Sequence, residues 1–151
     1  SLAEKLLEVF NNFIVIIDNL STGNLKKLPN IDNSRFKFIN IDVNDRVSLQ
    51  EVMLSYKFDF VFHYAAMVGV KRTLENPVDV LKDIDGIHNI VDLSKNTGVK
   101  RIFYSSSSEI YGESIEFPQN EQTTPLNSRL PYAIVKNIGE AYLGAYHQKY
   151  G

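Results

Sequence analysis

The 151 residues predict an α/β fold, a doubly wound parallel sheet with helices on its faces. Three observations predict it. Four short β-branched or aromatic runs, 13–17, 36–41, 59–63 and 102–104, alternate with segments of helical periodicity. The run Phe13-Ile-Val-Ile-Ile17 is apolar at every residue, which marks a strand covered on both faces. Strands separated by helices must run parallel, and their crossovers are right-handed.

The elements follow in order. Residues Leu2 to Phe10 place Leu2, Leu6, Val9 and Phe10 on one helical stripe. The strand from Phe13 ends at Asp18, and the stretch Asn19 to Asn33, rich in Asn, Ser, Gly and Pro, reads as a loop. Phe36 to Ile41 alternates weakly as a second strand. Asn44 or Asp45 caps a helix that runs through Tyr56, and Asp59 to His63 is the third strand. Asn76-Pro77 starts a helix, because proline lacks the N–H that goes unpaired in a first turn. Val80, Ile84, Ile87 and Val91 form its apolar face, and Gly98 ends it between Lys95 and Lys100. Ile102 to Tyr104 is the fourth strand, a long polar loop runs to Arg129, and a last helix spans Tyr132 to Lys149. No repeat, low-complexity tract or linker divides the chain, so residues 1–151 read as one domain.

Composition narrows the function. A 44% hydrophobic content supports a real core, and a net charge of −2 leaves no basic footprint for nucleic acid or anionic membrane. No run approaches the roughly 18 apolar residues of a membrane span, and no secretory signal opens the chain. With zero cysteines and three scattered histidines, neither a disulfide nor a metal site is expected, and a reducing cytoplasm is compatible.

Chemistry enters at Tyr132-Ala-Ile-Val-Lys136. On a helix these two ends share one face. Tyrosine, with a reference pKa of about 10, is a poor base at neutral pH, and a nearby cation favours its phenolate. The serine run Ser105 to Ser108 follows a strand, where open parallel sheets bind ligands, and offers a hydroxyl to orient a substrate. Alone, such a motif is common by chance, and a surface tyrosine packed on a lysine stem is the readier explanation. Asp18 is a turn residue as readily as a ligand. Glu109 is a cap or ion-pair candidate. His63 reads as a core histidine, and His88 and His147 have no partner in view.

The flanks change the balance. Ser105-Ser-Ser-Ser-Glu-Ile-Tyr-Gly112, Pro131-Tyr-Ala-Ile-Val-Lys136 and His63-Tyr-Ala-Ala66 after an apolar strand resemble the extended short-chain dehydrogenase/reductase family. The likeness is to its NAD-dependent nucleotide-sugar epimerases, with features of the glucuronate decarboxylases and the 4,6-dehydratases. It implies a Rossmann-type NAD-binding domain whose first strand and G-x-x-G-x-x-G turn precede Asp18 by about 20 residues. That places both before Ser1, and the sugar-nucleotide region after Gly151. The first strand of such a sheet lies between the strands at 13–17 and 59–63, so a gap is expected there.

The resemblance also implies roles. NAD would be held by Asp18 and Asn19 at the adenosine ribose and by Asp42 and Val43 at the adenine. Tyr64, Ala65 and Ala66 would lie along the dinucleotide, with Tyr132 and Lys136 at its nicotinamide end. No arginine follows Asp18, which favours NAD over NADP. Asp83 stands where many relatives carry asparagine. Ser107, third in its run, Tyr132 and Lys136 would oxidise the C4 hydroxyl of a nucleotide-linked hexose, and Glu109 would bear on the fate of the resulting ketone. A 4,6-dehydratase carries Asp-Glu where this chain has Ser108 and Glu109, so an epimerase is expected first and a decarboxylase next. An intact Ser107, Tyr132 and Lys136 set speaks against a non-catalytic NAD-binding member. A homodimer through the 77–97 and 132–149 helices is implied, with Ile84, Ile87, Ile90 and Val91 as surplus apolar surface.

Overall fold

A computed structural model describes residues 1–29, 33–113 and 115–151. In chain order the elements are α1 (Leu2–Leu7), β1 (Ile14–Ile17), β2 (Phe36–Ile39), α2 (Arg46–Tyr56), β3 (Phe60–His63), α3 (Val70–Glu75), α4 (Pro77–Leu81), α5 (Asp83–Thr97), β4 (Arg101–Tyr104) and α6 (Pro131–Tyr150). The predicted alternation is present, with several elements a residue or more shorter than the apolar runs that announce them. Residues 30–32 of the expected loop lie outside the described ones.

Local chemistry explains the helix starts. Ser1 and Glu4 form a capping box on α1. Asp45, not Asn44, caps α2, its carboxylate accepting the N–H groups of Val47 and Ser48. Pro131 occupies the first turn of α6.

Two elements differ from expectation. Helix α3 carries no readable stripe because its apolar residues do not face the core: Val70 is 75% and Leu74 57% exposed. The single helix expected from Pro77 is two, α4 and α5. At the junction Lys82 N donates to Asp79 O at 3.2 Å and Asp85 N to Lys82 O at 3.0 Å. These i,i+3 bonds tighten one turn between the two helices.

The strands pair as two parallel couples. Ile14 to Ile17 of β1 face Phe36 to Ile39 of β2, and Phe60 to His63 of β3 face Arg101 to Tyr104 of β4. Among the described residues no ladder joins the couples. Between them is a cavity of about 870 Å³ lined by every residue of β1 and β3. This is the gap expected between the first and third apolar runs. All four residues of β1 are only half-buried although apolar, because the flank toward β3 is uncovered.

The core forms where α5 is wedged between α2 and α6. Ile90 and Leu93 pack with Leu49 and Met53 of α2. Ile87 and Val91 pack with Val80 of α4 and Val135 of α6, and Ile84 lies against the same cluster. This corrects the expectation that Ile84, Ile87, Ile90 and Val91 are surplus surface. Ile87, Ile90 and Val91 are buried within the chain, since both sides of α5 have neighbours.

Helix α6 closes on the end of β4 at Gly139. A Cβ there would sit 2.3 Å from Cζ and the hydroxyl of Tyr104. The Tyr104 ring cannot easily yield, because it stacks on His63 and its hydroxyl donates to the Lys136 carbonyl. Gly139→Ala gains about 1 kcal/mol of helix propensity and incurs overpacking of about 1–3 kcal/mol. The expected outcome is a lower denaturant midpoint. An unchanged or raised midpoint would show that α6 has slack against β4.

Candidate active site

The site is built where β4 and α6 meet. After Tyr104 the chain leaves the sheet through Ser105 to Ser107. The Ser107 Oγ accepts Glu109 N–H at 3.2 Å, which caps the short 3₁₀ turn Ser108–Tyr111. Tyr132 and Lys136 sit one turn apart near the start of α6. Ser107, Glu109 and Tyr132 line one cavity of about 270 Å³, bordered by Gly69, Leu74 and Leu130. Three of the four residues expected to do chemistry thus share a wall.

Lys136, the fourth, lies behind Tyr132 and is only 3% exposed. Its ammonium is 5.6 Å from the Tyr132 ring centroid and 5.1 Å from that of Tyr104. Both rings present a π-face that attracts a cation. Its hydrogen-bond acceptor is Ser105 Oγ at 3.5 Å, not Ser107. Two serines of one run therefore divide the labour: Ser105 meets the buried cation and Ser107 faces the cavity.

Burial sets the titrations around this cation. Desolvation pulls Lys136 below its ordinary value, and the charge of Asp83 partly restores it. His63 is pushed down to about 4 by burial first and by Lys136 second. Tyr104 is raised by burial and then by Glu140, so it stays a neutral phenol. Asp83 is raised by burial, against the opposing pull of the Met67 N–H, the Asn44 side chain and Lys136. His63 is a core residue, as expected, 5% exposed.

The residues expected to hold a dinucleotide gather at the carboxyl ends of the strands. Asp18, Val43, Tyr64 and Ala65 line the larger cavity, and Asn19, Asp42 and Ala66 are not on its wall. Asp18 accepts the Leu20 N–H at 2.6 Å, and the absence of a side chain at Gly23 lets the loop close to the carboxylate. Asp42 accepts Asn44 N–H at 2.8 Å as a turn residue and receives the Asn19 amide at 2.9 Å. That bond ties the end of β1 to the end of β2. Lining that gap is not itself a sign of a ligand; it is their place at the carboxyl ends of β1 and β3 that makes the Asp18 carboxylate, the half-exposed Tyr64 ring and Ala65 compatible with a nucleotide, the carboxylate as acceptor for ribose hydroxyls.

The sequence alone does not single out Ser105, Tyr104 or the placement of Asp83. Ser105 is indistinguishable in a run of four serines, and Tyr104 reads as a strand residue. Asp83 differs from the asparagine of many relatives, but only the structure shows its carboxylate accepting the Met67 N–H at 2.6 Å. Among the described residues, no cluster suited to a metal occurs and no helix is long and apolar enough to cross a membrane.

Comparison with known proteins sets this geometry in context. The family model described as GDP-mannose 4,6 dehydratase matches residues 1–151. A UDP-glucose 4-epimerase of Mycolicibacterium smegmatis is 31% identical over 140 residues, covering 91% of this chain and 44% of that protein. UDP-glucuronic acid decarboxylase 3 of Arabidopsis thaliana is 32% identical over 158 residues, covering 99% of this chain and 43% of that protein. The crystal structure of the Thermotoga maritima UDP-glucose 4-epimerase with UDP-glucose superposes with a TM-score of 0.88 at 28% identity, over 99% of this chain and 47% of that one. The Thermus thermophilus UDP-glucose 4-epimerase in complex with NAD gives 0.86 at 30% identity, with coverage of 99% and 47%. The chain spans about half the length of the relatives it matches.

His63 supplies a pH test. Its ordinary value of 6.5 falls to about 4 in the folded protein. Between those values the unfolded chain binds a proton on this ring that the folded protein does not, so stability is lost as pH drops from 6.5 toward 4. His63→Gln is expected to flatten that part of the stability curve, measured by denaturant melts. A His63 ring that titrates by NMR near 6.5 would contradict the assignment.

Proposed function

The chain belongs to the GDP-mannose 4,6 dehydratase family, within the extended short-chain dehydrogenases/reductases that act as nucleotide-sugar epimerases and dehydratases, and from that premise we propose an NAD-dependent nucleotide-sugar epimerase. The observation that carries the reading is the meeting of Ser107, Glu109 and Tyr132 on one cavity, with the Lys136 ammonium behind the Tyr132 ring.

In this reading Tyr132 Oη takes the proton of the C4 hydroxyl as C4 becomes a ketone, and Ser107 Oγ donates to that oxygen and holds it. Lys136 holds its buried ammonium 5.6 Å from the centroid of the Tyr132 ring, where in this reading it assists Tyr132 as the base. When bound, NAD supplies the acceptor for the C4 hydride and the donor that returns it. Asp18, Val43, Tyr64 and Ala65 would hold its adenosine side, and Lys136 the nicotinamide ribose. Asn19, Asp42 and Ala66 belong to the same proposed set, Asn19 and Asp42 acting through their mutual hydrogen bond.

The 4-keto sugar has more than one fate. Turned over in the site, it accepts hydride on the other face and the product is an epimer. If C5 carries a carboxylate, the β-keto acid loses CO₂ with little further help, and Glu109 on the cavity wall is the residue nearest that choice in sequence. Ser108 removes the acid that a 4,6-elimination uses, which puts dehydration last. Pairing of two copies through the outer faces of the 77–97 and 132–149 helices, that is α4, α5 and α6, is part of the proposal; half-covered Tyr142 and Tyr146 and exposed Leu81 and Ile134 lie on the helices that would meet. A monomer mass in light scattering at micromolar concentration contradicts that pairing.

The intact protein, incubated separately with UDP-glucose and UDP-glucuronate and followed by NMR, is expected to form the C4 epimer. Tyr132→Phe is expected to lower the rate by about 10²–10⁴-fold while leaving NAD affinity largely unchanged. Activity within twofold of wild type would remove Tyr132 from the mechanism, and CO₂ release from the glucuronate would replace epimerisation with decarboxylation.

A further inference from the structure

The segment between β2 and α2 carries Asp42 and Val43, the residues proposed for the adenine end of the dinucleotide. It is a tight turn. The Asp45 N–H donates to the Asp42 carbonyl at 3.0 Å, and the Asp42 carboxylate accepts the Asn44 N–H at 2.8 Å. Asp45 then caps α2. Asn89 of α5 holds this turn against the body of the protein. It is 5% exposed, and its amide nitrogen donates to the carbonyls of Val43 at 3.1 Å and of Asn44 at 3.2 Å.

The amide is itself oriented. Its Oδ1 accepts from Arg46 Nη1 at 3.4 Å, while Nη2 of the same guanidinium pairs with Asp92 at 2.5 Å. Arg46 opens α2, and Asp92 lies one turn after Asn89 on α5, so three side chains join two helices and the turn. With its oxygen committed to a cation, the amide delivers its two hydrogens to the two carbonyls. The turn comes this close because residue 86, one turn earlier on α5, is glycine. A Cβ there would lie 2.5 Å from Asn44 Oδ1 and 2.9 Å from Val43 Cγ2. The helices do not need the amide to stay together, since Leu49 and Met53 of α2 already pack on Ile90 and Leu93. Buried hydrogen bonds add little net stability, but they fix one arrangement of the groups they join.

We propose that Asn89, oriented by Arg46, is a positioning residue for the adenine subsite: it sets the 42–44 turn before a nucleotide arrives. The inference rests on the adenine role proposed above for Asp42 and Val43. Asn19 holds Asp42 from the end of β1, donating to its carboxylate at 2.9 Å, and Asn89 holds the backbone of the same turn from α5. A turn ordered in advance spares binding the loss of conformational freedom. Without the clamp that loss falls on adenine recognition, while Tyr132 and Lys136 at the nicotinamide end stand on a different helix, α6.

The experiment reads affinity, not turnover. The intact protein is titrated by calorimetry with NAD and with nicotinamide hypoxanthine dinucleotide, which lacks the adenine amino group; nicotinamide mononucleotide is the control for the other end. Wild type is expected to prefer NAD. Asn89→Leu, of similar volume, is expected to bind NAD about tenfold more weakly, the order set by leaving one more residue to be fixed on binding. Its preference for NAD shrinks with that loss, and its affinity for the mononucleotide is unchanged. Arg46→Met is expected to lose part of the preference. If Asn89 merely supports the fold, its removal lowers the melting temperature and leaves the ratio of the two dinucleotide affinities where it was; that result overturns the proposal. Should Asn89→Leu not fold, an unaltered ratio in Arg46→Met overturns it instead. A wild type that binds both dinucleotides equally removes the adenine role of Asp42 and Val43, and the clamp's role with it. That failure is distinct from a preference that survives in the variants.

Discussion

Helix α6 reaches the carboxyl end of β4 only because residue 139 has no side chain, and the Tyr104 ring fills the space that a Cβ would take. Much of the site depends on that contact. The Tyr104 hydroxyl donates to the Lys136 carbonyl, which fixes the helix along its axis relative to the strand. With the helix so placed, Lys136 turns inward over the Tyr104 ring, and Tyr132, one turn earlier, reaches the cavity shared with Ser107 and Glu109. A helix displaced outward by a single methyl group would carry both ends of the Tyr132–Lys136 pair away from the serine run.

The same contact forces an electrostatic problem on the protein. Burying an ammonium is expensive unless it is paired and hydrogen-bonded, and among the described residues Lys136 has one hydroxyl at the long end of hydrogen-bond distance. The compensation comes from the faces of the Tyr104 and Tyr132 rings. In the proposed mechanism the penalty and the function have a common source. A cation shielded from water acts on a neighbouring phenol with far less attenuation than a surface lysine would. Loss of stability around functional groups of this kind is a common feature of active sites.

How much of the fold and the site was legible in the sequence depends on how each signal is carried. The strands were readable because buried parallel strands are written as unbroken apolar runs such as Ile14 to Ile17, which need no context. Tyr132 and Lys136 were readable because their spacing matches the helix itself. The gap beside β1 was readable from the family pattern, and appears as the open flank of four half-buried residues. Helix α3 was not, because Val70 and Leu74 are exposed and leave no inward stripe. Ile87, Ile90 and Val91 were misjudged for the opposite reason: periodicity shows that a face is apolar and not how many neighbours it meets, and α5 meets α2 on one side and α6 on the other. The family pattern picked out Ser107, but the meeting of Ser105 with the buried lysine could not be read, since the turn after β4 decides which serine faces which way.

In the function proposed for this chain, Ser107, Tyr132 and Lys136 together serve a reversible oxidation at a sugar carbon bearing a hydroxyl. Deuterium tests it most directly. UDP-glucose carrying ²H at C4 is incubated with the intact protein in ordinary water, and the position of the label in the recovered sugar is read by NMR. The epimer is expected to retain deuterium at C4, because the hydrogen leaves and returns as hydride without meeting solvent. An epimer in which the C4 deuterium has been replaced by hydrogen from water would contradict it.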